Sequence, residues 1–281
     1  MSNAQVSLYG AYAGFDLKLA EQGIAILRFN QPEKLNAFSA SMKRDMLESL
    51  FHIGISSGAR ALIISGDGGV FSAGDNFRNY YDQEPVRSVP IGAREEGGAA
   101  LYSRLRMISQ QLNRTLRDLD IVTIAAIEGP CVQSALSLAL CCDFRIVSRE
   151  ARLGSATLRF GFQPDENGHY LLVQHIGLAK TLDFLLRKRF VSGEEAVQWG
   201  LATDVVPEGE SMTRAVALAR EMVEGPQSAM RLLKRAIYNA AEYSFDQAAD
   251  DIATKTAISD LHPDTKEGVT AFREKRKPDF Q

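Results

Sequence analysis

Residues Ile121–Asp143 read IVTIAAIEGPCVQSALSLALCCD, and the predicted architecture is built outward from this stretch. Its first part, Ile121–Ile127, is a continuous apolar run without alternation, which is typical of a strand buried on both faces of a parallel sheet. Gly129 and Pro130 end that strand, and the residues from about Ser134 are apolar nearly all round, which predicts a short buried helix. A tight turn before a buried helix start places free backbone N–H groups where an anionic oxygen can be held. The stretch is therefore either an ordinary βα unit of an α/β core or a site for chemistry on a carbonyl group.

About two thirds of the way along the chain, the predicted elements change from a mixture of strands and helices to helices alone. Phe15–Ala20 and Ile24–Phe29 predict two paired strands about the turn Glu21–Gly23, and Ala61–Ser65 predicts a short buried strand. Helices are predicted at about 39–56, 101–119, 170–176, 179–186, 193–199, 211–223, 227–241, 245–259 and 266–275. Strands with crossover helices first, and helices afterwards, indicate an α/β core followed by a helical region.

The composition is that of an ordinary globular protein with a small-molecule or protein partner. Of 281 residues, 45% are hydrophobic and 24% are charged, and the formal net charge is -3. This charge gives no electrostatic reason to expect nucleic acid or an anionic membrane as a partner. No signal peptide and no apolar run long enough to span a bilayer is evident, so we expect a cytoplasmic protein.

The three cysteines are Cys131, Cys141 and Cys142, and all lie within the buried stretch. Because they are odd in number and clustered, we expect reduced core thiols and no disulfide framework. No spacing typical of a metal site appears among the three Cys and four His residues, so no metal is expected.

Five segments, in order and with similar spacing, resemble the crotonase (enoyl-CoA hydratase/isomerase) superfamily. They are Asn30–Phe38 (NQPEKLNAF), Gly66–Asn76 ending in FSAGDN, Ile124–Asp143, Leu178–Val206, and Glu267–Phe280 (EGVTAFREKRKPDF). Any one of them alone would be a weak signal, but together they span nearly the whole chain.

The resemblance implies an α/β fold, namely a spiral of ββα units with a C-terminal helical trimerisation region. Residues 1–205 would form the acyl-CoA-binding core and residues 206–281 the helical oligomerisation region. The implied partner is an acyl-CoA thioester, with coenzyme A present only as part of the substrate and no other cofactor. The implied assembly is a homotrimer or a dimer of trimers.

The family match also implies substrate contacts and an oxyanion hole. CoA would lie near Lys34, Leu35, Ala73 and Gly74, and Lys275 of the C-terminal tail would be a phosphate contact, although Lys34 and Lys275 read equally well as solvated surface charges.

The oxyanion hole would be made by two backbone amides, those of Asp75 and Ser134. Each donor of this type is worth roughly 3 kcal/mol of transition-state stabilisation. A carboxylate beside a developing enolate would repel it unless it were protonated, paired or turned outward, so we expect the Asp75 side chain to cap the loop beside Asn76.

The chain departs from the family at the acid and base. The positions of the two hydratase glutamates are Ser137 and Thr157 here, and neither hydroxyl is a base near neutral pH without a helper. Asp165 and Glu166 are the nearest candidates for proton transfer, since an aspartate occupies the position of Asp165 in the dienoyl-CoA isomerase branch. His169 could pair with Glu166 if that segment is helical. Acidic residues before a helix also commonly serve as caps, which is the competing interpretation.

Three hypotheses about function follow. The first is an enzyme that stabilises an acyl-CoA enolate and shifts a double bond, with Asp165 or Glu166 as proton carrier. The second is a CoA-ester-binding protein with little or no turnover, which is suggested by Ser137 and Thr157. The third is another reaction through the same enolate, such as decarboxylation, C–C cleavage or thioester hydrolysis.

Overall fold

The computed structural model describes residues 9–56, 58–76, 97–164 and 166–280, so the predicted catalytic residue Asp165 lies outside the described residues. The strands are β1 (Gly10–Tyr12), β2 (Phe15–Leu19), β3 (Ile24–Phe29), β4 (Ala61–Gly66), β5 (Val122–Ile127), β6 (Pro130–Val132), β7 (Phe144–Ser148), β8 (Arg152–Gly154), β9 (Phe190–Ser192) and β10 (Asp204–Val206). In this part of the chain they form one sheet in the spatial order β1-β2-β3-β4-β5-β7-β10 and a smaller sheet in the order β6-β8-β9.

The larger sheet is parallel except at its N-terminal edge. The predicted pairing of the first strands is confirmed, because β2 and β3 are antiparallel with Phe15 opposite Phe29, and β1 adds to β2 in the same sense. From β3 onward each neighbouring pair is parallel, through β4, β5, β7 and β10. The connecting helices α1, α3, α4 and α6 contribute to one apolar cluster, and α7, which follows the last strand, contributes to the cluster on the other face. Parallel neighbours require crossover connections of this kind.

The helices are α1 (Ala40–Ser56), α2 (Gly97–Arg104), α3 (Gln110–Arg117), α4 (Ser134–Leu140), α5 (Gly168–Leu186), α6 (Gly193–Trp199), α7 (Ser211–Val223), α8 (Gln227–Ala240), α9 (Phe245–Asp260) and α10 (Pro263–Glu274). The hydroxyl of Ser39 accepts a hydrogen bond from the Met42 amide (3.1 Å), so α1 begins with a side-chain cap. Within the described residues, no helix is long and apolar enough to cross a membrane.

The central strand β5 is buried on both faces, as its unbroken apolar run predicts. Ile124 and Ala126 lie in the apolar cluster formed with α7. Ala125 and Ile127 lie in the larger cluster formed with α1, α3 and α4. A strand covered by helices on both sides needs apolar side chains at every position, which explains the absence of alternation.

Helix α4 matches the predicted buried helix, since all of its residues from Ser134 to Leu140 are buried. The three cysteines are free and buried, as expected, and burial raises the thiol pKa values well above the ordinary range.

The structure differs from the predicted helices in two regions. The helix predicted over 101–119 is interrupted by a π-helical turn, Leu105–Ser109, between α2 and α3. The two helices predicted on either side of Gly177 are joined in α5, with a kink at Gly177 where φ is 73°. Neither a π turn nor a tolerated kink changes the apolar spacing enough to be visible in the sequence.

The C-terminal region is helical, and its helices have different environments. Helix α7 packs on the large sheet through Ala215, Ala219 and Val223. Helices α9 and α10 and the turn between them expose large apolar side chains: Phe245 is 87% exposed, Leu261 88% and Phe272 84%. A stretch this apolar on the surface of one chain is typical of a surface that another subunit covers.

Candidate functional site

The segment Phe71–Asn76, which follows β4, is held by the loop that follows β3. The Asn36 side chain is 1% exposed, and its Nδ2 donates to the carbonyl oxygen of Val70 at 2.7 Å. The Ala73 amide donates to the Leu35 carbonyl at 2.9 Å. Two of the family-like segments therefore form one rigid unit through buried hydrogen bonds.

Four of the five residues predicted to contact CoA lie together in this unit. Lys34 and Leu35 lie beside Ala73 and Gly74, and the Leu35 side chain is 50% exposed. Lys275 lies instead at the C-terminal end of α10, and no contact among the described residues links it to the other four. The contact of these residues with CoA stays a prediction.

At Gly74 this unit lies in close contact with the turn between β6 and α4. The Ser72 amide donates to the Pro130 carbonyl (2.9 Å), and the Val132 amide donates to the Ser72 carbonyl (3.1 Å). Gly74 has φ +83°, and a Cβ added to it would lie 2.6 Å from the Val132 carbonyl oxygen. Only glycine allows the two segments to approach this closely.

The two amides predicted for the oxyanion hole belong to the residues that come next in the chain after this contact. Asp75 comes after Gly74, and Ser134 is the first residue of α4. Among the residues that the structure describes, neither amide is seen to donate a backbone hydrogen bond. Their use as a pair of donors for an anionic oxygen stays a prediction.

Gln133 forms the turn before α4 in a strained conformation. Its backbone angles are φ 57° and ψ -122°, a region that residues with a Cβ rarely occupy. Its side chain is only 9% exposed, and its Oε1 atom finds no hydrogen-bond partner among the described residues. Strain of this kind costs about 1–3 kcal/mol and clusters at functional sites.

Replacing Gln133 by glycine is expected to stabilise the protein by about 1 kcal/mol, because it removes the backbone strain and a buried unsatisfied oxygen. Urea denaturation of the variant measures this gain. Gln22→Gly is the matched control: Gln22 also has positive φ (60°) but lies in an exposed turn with ψ 20°, so a smaller change is expected. A loss of stability in Gln133→Gly would mean that the packing of the glutamine side chain outweighs its strain.

A buried ion-pair cluster lies beside the amide of Asp75. The Nζ atom of Lys43, on α1, is 2.6 Å from Oδ1 of Asp75 and 2.8 Å from Oε1 of Glu166. It also donates to the hydroxyl of Ser109 at 3.2 Å. The side chains of Lys43 and Glu166 are 8% and 6% exposed, whereas that of Asp75 is 29% exposed. Of these three charged groups, Asp75 is the one most accessible from outside.

The π-helical turn and α3 hold Glu166 in place. Ser109 is the last residue of the π turn, and Asn113 on α3 donates from Nδ2 to the backbone carbonyl of Glu166 at 2.8 Å. Asn113 is 3% exposed, so this hydrogen bond is shielded from water. Single π turns occur frequently at functional sites because they redirect the side chains of a helix.

Burial dominates the protonation of this cluster. It raises the pKa of the Asp75 carboxyl to about 6; the attraction of Lys43 opposes this rise, and the charge and hydrogen bond of Glu166 add to it. Burial lowers the pKa of Lys43, but attraction to Glu166 and Asp75 outweighs it, and the net pKa is raised. Lys43 is therefore a cation throughout the physiological range, and Asp75 is poised to take up or release a proton near neutrality.

The structure corrects the expected role of the Asp75 side chain. The carboxylate was expected to cap its own loop beside Asn76, but it faces Lys43 and Glu166 instead. The Lys43 ammonium compensates the negative charge that would otherwise repel an enolate.

The structure also assigns Glu166 a different partner. Lys43 pairs with Glu166, while His169 lies exposed in the first turn of α5. The suggested imidazole–carboxylate pair is therefore not formed among the described residues. Asn167 adopts the left-handed conformation (φ 61°) just before α5, and Glu166, which precedes it, is buried.

Ser137 and Thr157, which occupy the positions of the hydratase glutamates, are both buried. A Cβ added to Gly168 would lie 2.5 Å from the Ser137 hydroxyl, so Ser137 borders the segment that bears Glu166. The Thr157 hydroxyl is 3.2 Å from that of Ser155. Neither contact supplies a base that would activate the hydroxyl.

Sequence reasoning missed Lys43. It lies on α1 between Met42 and Met46, two fully buried residues of the helix, and Leu47 one turn later is partly buried. A lysine flanked by apolar residues at i+3 and i+4 was a usable signal, because a charge on the buried stripe of a helix requires a buried partner.

No metal centre is found at this site. In the described ranges, no group of three or more His, Cys, Asp or Glu side chains is placed to hold a metal ion.

Comparison with known proteins gives a consistent result over nearly the whole chain. The family model described as enoyl-CoA hydratase/isomerase matches residues 19–281. A 1,2-epoxyphenylacetyl-CoA isomerase of Escherichia coli strain K12 is 30% identical over 266 residues, which cover 95% of this chain and 98% of that protein. An enoyl-CoA hydratase of Mycobacterium tuberculosis is 30% identical over 257 residues, covering 91% and 92%.

The relatives do not share one reaction. A 4-chlorobenzoyl coenzyme A dehalogenase of an Arthrobacter species is 27% identical over 256 residues, covering 90% of this chain and 88% of the dehalogenase. The crystal structure of an enoyl-CoA hydratase from Bacillus anthracis superposes with a TM-score of 0.85 at 23% identity, covering 95% of this chain and 99% of that one. This last likeness confirms the predicted α/β fold, and the spread of activities leaves the reaction to be argued from the site.

Proposed function

The chain belongs to the enoyl-CoA hydratase/isomerase family, and from this premise we propose that it acts on an acyl-CoA thioester through an oxyanion-stabilised enolate, as an isomerase and not as a standard hydratase. The observation that supports the proposal is that two carboxyl groups, those of partly exposed Asp75 and buried Glu166, contact Lys43, and that Asp75 belongs to the segment that adjoins the turn before Ser134. Proton transfer to carbon and stabilisation of an oxyanion are the two requirements of enolate chemistry, and this placement supports both.

The oxyanion hole would act first. The thioester oxygen, which gains charge as the enolate forms, would accept hydrogen bonds from the amides of Asp75 and Ser134. Each such donor is worth roughly 3 kcal/mol in the transition state, because it acts in a site shielded from water.

A proton would then leave one carbon and return to another. Glu166, or Asp165 outside the described residues, would take a proton from the carbon next to the thioester and deliver it further along the acyl chain. The double bond moves and no water is consumed. A standard hydratase mechanism is not favoured, because Ser137 and Thr157 replace the two carboxylates that would activate water.

One observation favours a second candidate function, a CoA-ester-binding protein with little or no turnover. Lys43 forms ion pairs with both Asp75 and Glu166, which lowers the basicity of each carboxylate. The same lysine also keeps a charged cluster buried, and the binding of an ester does not require such a cluster. We therefore favour the enzyme over the binding protein.

The exposed apolar surface of the C-terminal helices supports a proposal about the oligomeric state. We propose a homotrimer, or a dimer of trimers, in which Phe245, Leu261 and Phe272 are covered by neighbouring subunits. Lys34, Leu35, Ala73 and Gly74 would contact CoA, with Lys275 as a phosphate contact, and the proposed location is the cytoplasm.

The proposal is tested by incubating the protein in D2O with saturated, 2-enoyl, 3-enoyl and dienoyl-CoA esters and analysing the products by mass spectrometry. We expect deuterium incorporation or a shifted double bond without addition of water. Addition of water would contradict the isomerase assignment, and decarboxylated, cleaved or hydrolysed products would indicate another branch of enolate chemistry. Binding of the esters without any change in them would favour the binding protein.

Replacing Glu166 by glutamine is expected to lower the exchange rate by roughly 10²–10⁴-fold, the usual contribution of a general acid–base group. Asp165→Asn is measured beside it, and Glu48→Gln, an exposed glutamate on α1 (side chain 76% exposed), is the control that should retain the wild-type rate. Full activity in both Asp165→Asn and Glu166→Gln would show that the assigned proton carriers are wrong.

A further inference from the structure

We propose that the Asp75 carboxyl itself exchanges the proton with the substrate carbon, and that Lys43 is a positioning residue that holds Asp75 and Glu166 as a pair sharing one proton. This inference rests on the enolate chemistry of the proposed function, and it replaces Glu166 and Asp165 by Asp75 as the group that exchanges the proton with the substrate carbon. Asp75 is also the residue whose backbone amide is placed in the oxyanion hole.

Accessibility distinguishes the two carboxyl groups. The Glu166 side chain is 6% exposed and lies behind Lys43, Ser109 and Asn113. The Asp75 side chain is 29% exposed and belongs to the residue whose amide would hold the thioester oxygen. A base must come within hydrogen-bond reach of the proton that it removes, and of these two groups Asp75 is the more accessible to an acyl group bound at its own amide.

One lysine cation faces both carboxyl groups. Nζ of Lys43 is 2.6 Å from Oδ1 of Asp75 and 2.8 Å from Oε1 of Glu166. Because two like charges held this near each other disfavour double ionisation, we assign one proton to the pair, which then bears one negative charge that the lysine balances. Among the described residues, Lys43 from α1 and Glu166 from the segment before α5 are the charged groups that act on Asp75.

The arrangement gives a balanced proton transfer. Ionised Asp75 takes a proton from the α-carbon of a 3-enoyl-CoA, and the C–H electron pair moves into the thioester, whose oxygen becomes the oxyanion at the amides of Asp75 and Ser134. Asp75, now protonated, delivers the proton to the γ-carbon, the electrons return, and a 2-enoyl-CoA results. Glu166 and Lys43 stay in place and set how readily Asp75 gains and loses the proton.

The first test uses variants and a pH profile of deuterium exchange. Asp75→Asn keeps the backbone amide, so we expect acyl-CoA binding within a few-fold of wild type and exchange lowered by roughly 10²–10⁴-fold. In wild type the exchange rate should fall as pH decreases through about 6, because the base form of Asp75 is lost. Retention of more than about a tenth of the rate in Asp75→Asn would overturn the role of Asp75.

Lys43→Met tests the positioning role. Lys43 lowers the pKa of Asp75, so its removal should move the pH at which exchange is half-maximal to a higher value, and Lys43→Arg should restore it. Lys18→Met, an exposed lysine on β2, should leave the profile unchanged. An unshifted profile in Lys43→Met would show that Lys43 has only a structural role. If the single variant does not fold, Lys43→Met/Glu166→Gln removes the buried cation together with one of its partners and keeps Asp75. Its half-maximal pH should lie above that of Glu166→Gln alone, and an equal value would contradict the positioning role.

A carbon-13 NMR titration of the Asp and Glu carboxyls in the free protein tests the shared proton without any substrate. We expect one carboxyl of wild type to titrate near pH 6, to be absent in Asp75→Asn and to move upward in Lys43→Met. The inference fails if every Asp and Glu carboxyl titrates below about pH 5. Because this readout is independent of turnover, it separates failure of the inference from failure of the proposed function.

Discussion

Replacing Ser134 by proline is expected to lower acyl-CoA turnover by roughly 10²–10³-fold, because it deletes one oxyanion-hole donor. The substitution suits the backbone, since Ser134 is the first residue of α4 and proline is well tolerated at the first helical position. It must be made together with Gln133→Gly, because at ψ -122° the Cβ of Gln133 would collide with the proline ring.

The comparison that isolates the amide is Gln133→Gly/Ser134→Ala, which keeps the N–H and removes a buried hydroxyl that has no hydrogen-bond partner among the described residues. Single-turnover exchange and acyl-CoA affinity are measured for both double variants, and circular dichroism verifies that both are folded. Equal rates in the proline and alanine variants would remove Ser134 from the oxyanion hole.

Replacing Gly74 by alanine is expected to damage both stability and activity. A left-handed backbone conformation costs roughly 1–2 kcal/mol once a Cβ is present. At Gly74 the added Cβ would also lie 2.6 Å from the Val132 carbonyl oxygen and 2.9 Å from the Cβ of Gln133. The two segments must move apart, and we expect a total loss of roughly 3–4 kcal/mol in the free energy of unfolding.

Separation of the segments also moves the amide of Asp75 away from that of Ser134. A displacement of about 1 Å can cost on the order of 10²-fold in rate. Gly69→Ala is the matched control: Gly69 has φ +70°, and no atom lies within 4 Å of its added Cβ, so only the conformational cost should appear. If both variants lose the same stability and Gly74→Ala keeps its activity, the close approach at Gly74 has no functional importance.

Several features of the site were predictable because they depend on residues close together in the chain. The apolar run of β5 and the all-round apolar helix α4 are local patterns, and the place of the Ser134 amide follows from the strand, turn and helix start. The five family-like segments, taken together, predicted the α/β fold that the superposition confirms. The resemblance also implied that Ala73 and Gly74 lie near Lys34 and Leu35, and the Ala73 amide donates to the Leu35 carbonyl.

Other features depend on contacts between distant parts of the chain. The π turn that brings Ser109 to Lys43 leaves the apolar spacing of the helix unchanged, so the sequence predicted one continuous helix there. The role of the Asp75 side chain was predicted wrongly, because its loop gives no indication of the lysine on α1 that faces it.

The amino-acid sequence alone was sufficient for the family, through the resemblance of its five segments, and for the buried strand and helix around Ser134, since hydrophobic periodicity and turn residues act over a few positions. The use of the two backbone amides as oxyanion donors stays a prediction. The charged cluster was not accessible in this way, because Lys43 and Glu166 are 123 positions apart and meet only when α1 and the segment before α5 pack together. Burial then shifts the pKa of Asp75 to about 6, and the depth of burial is a property of the packed chain and not of any segment.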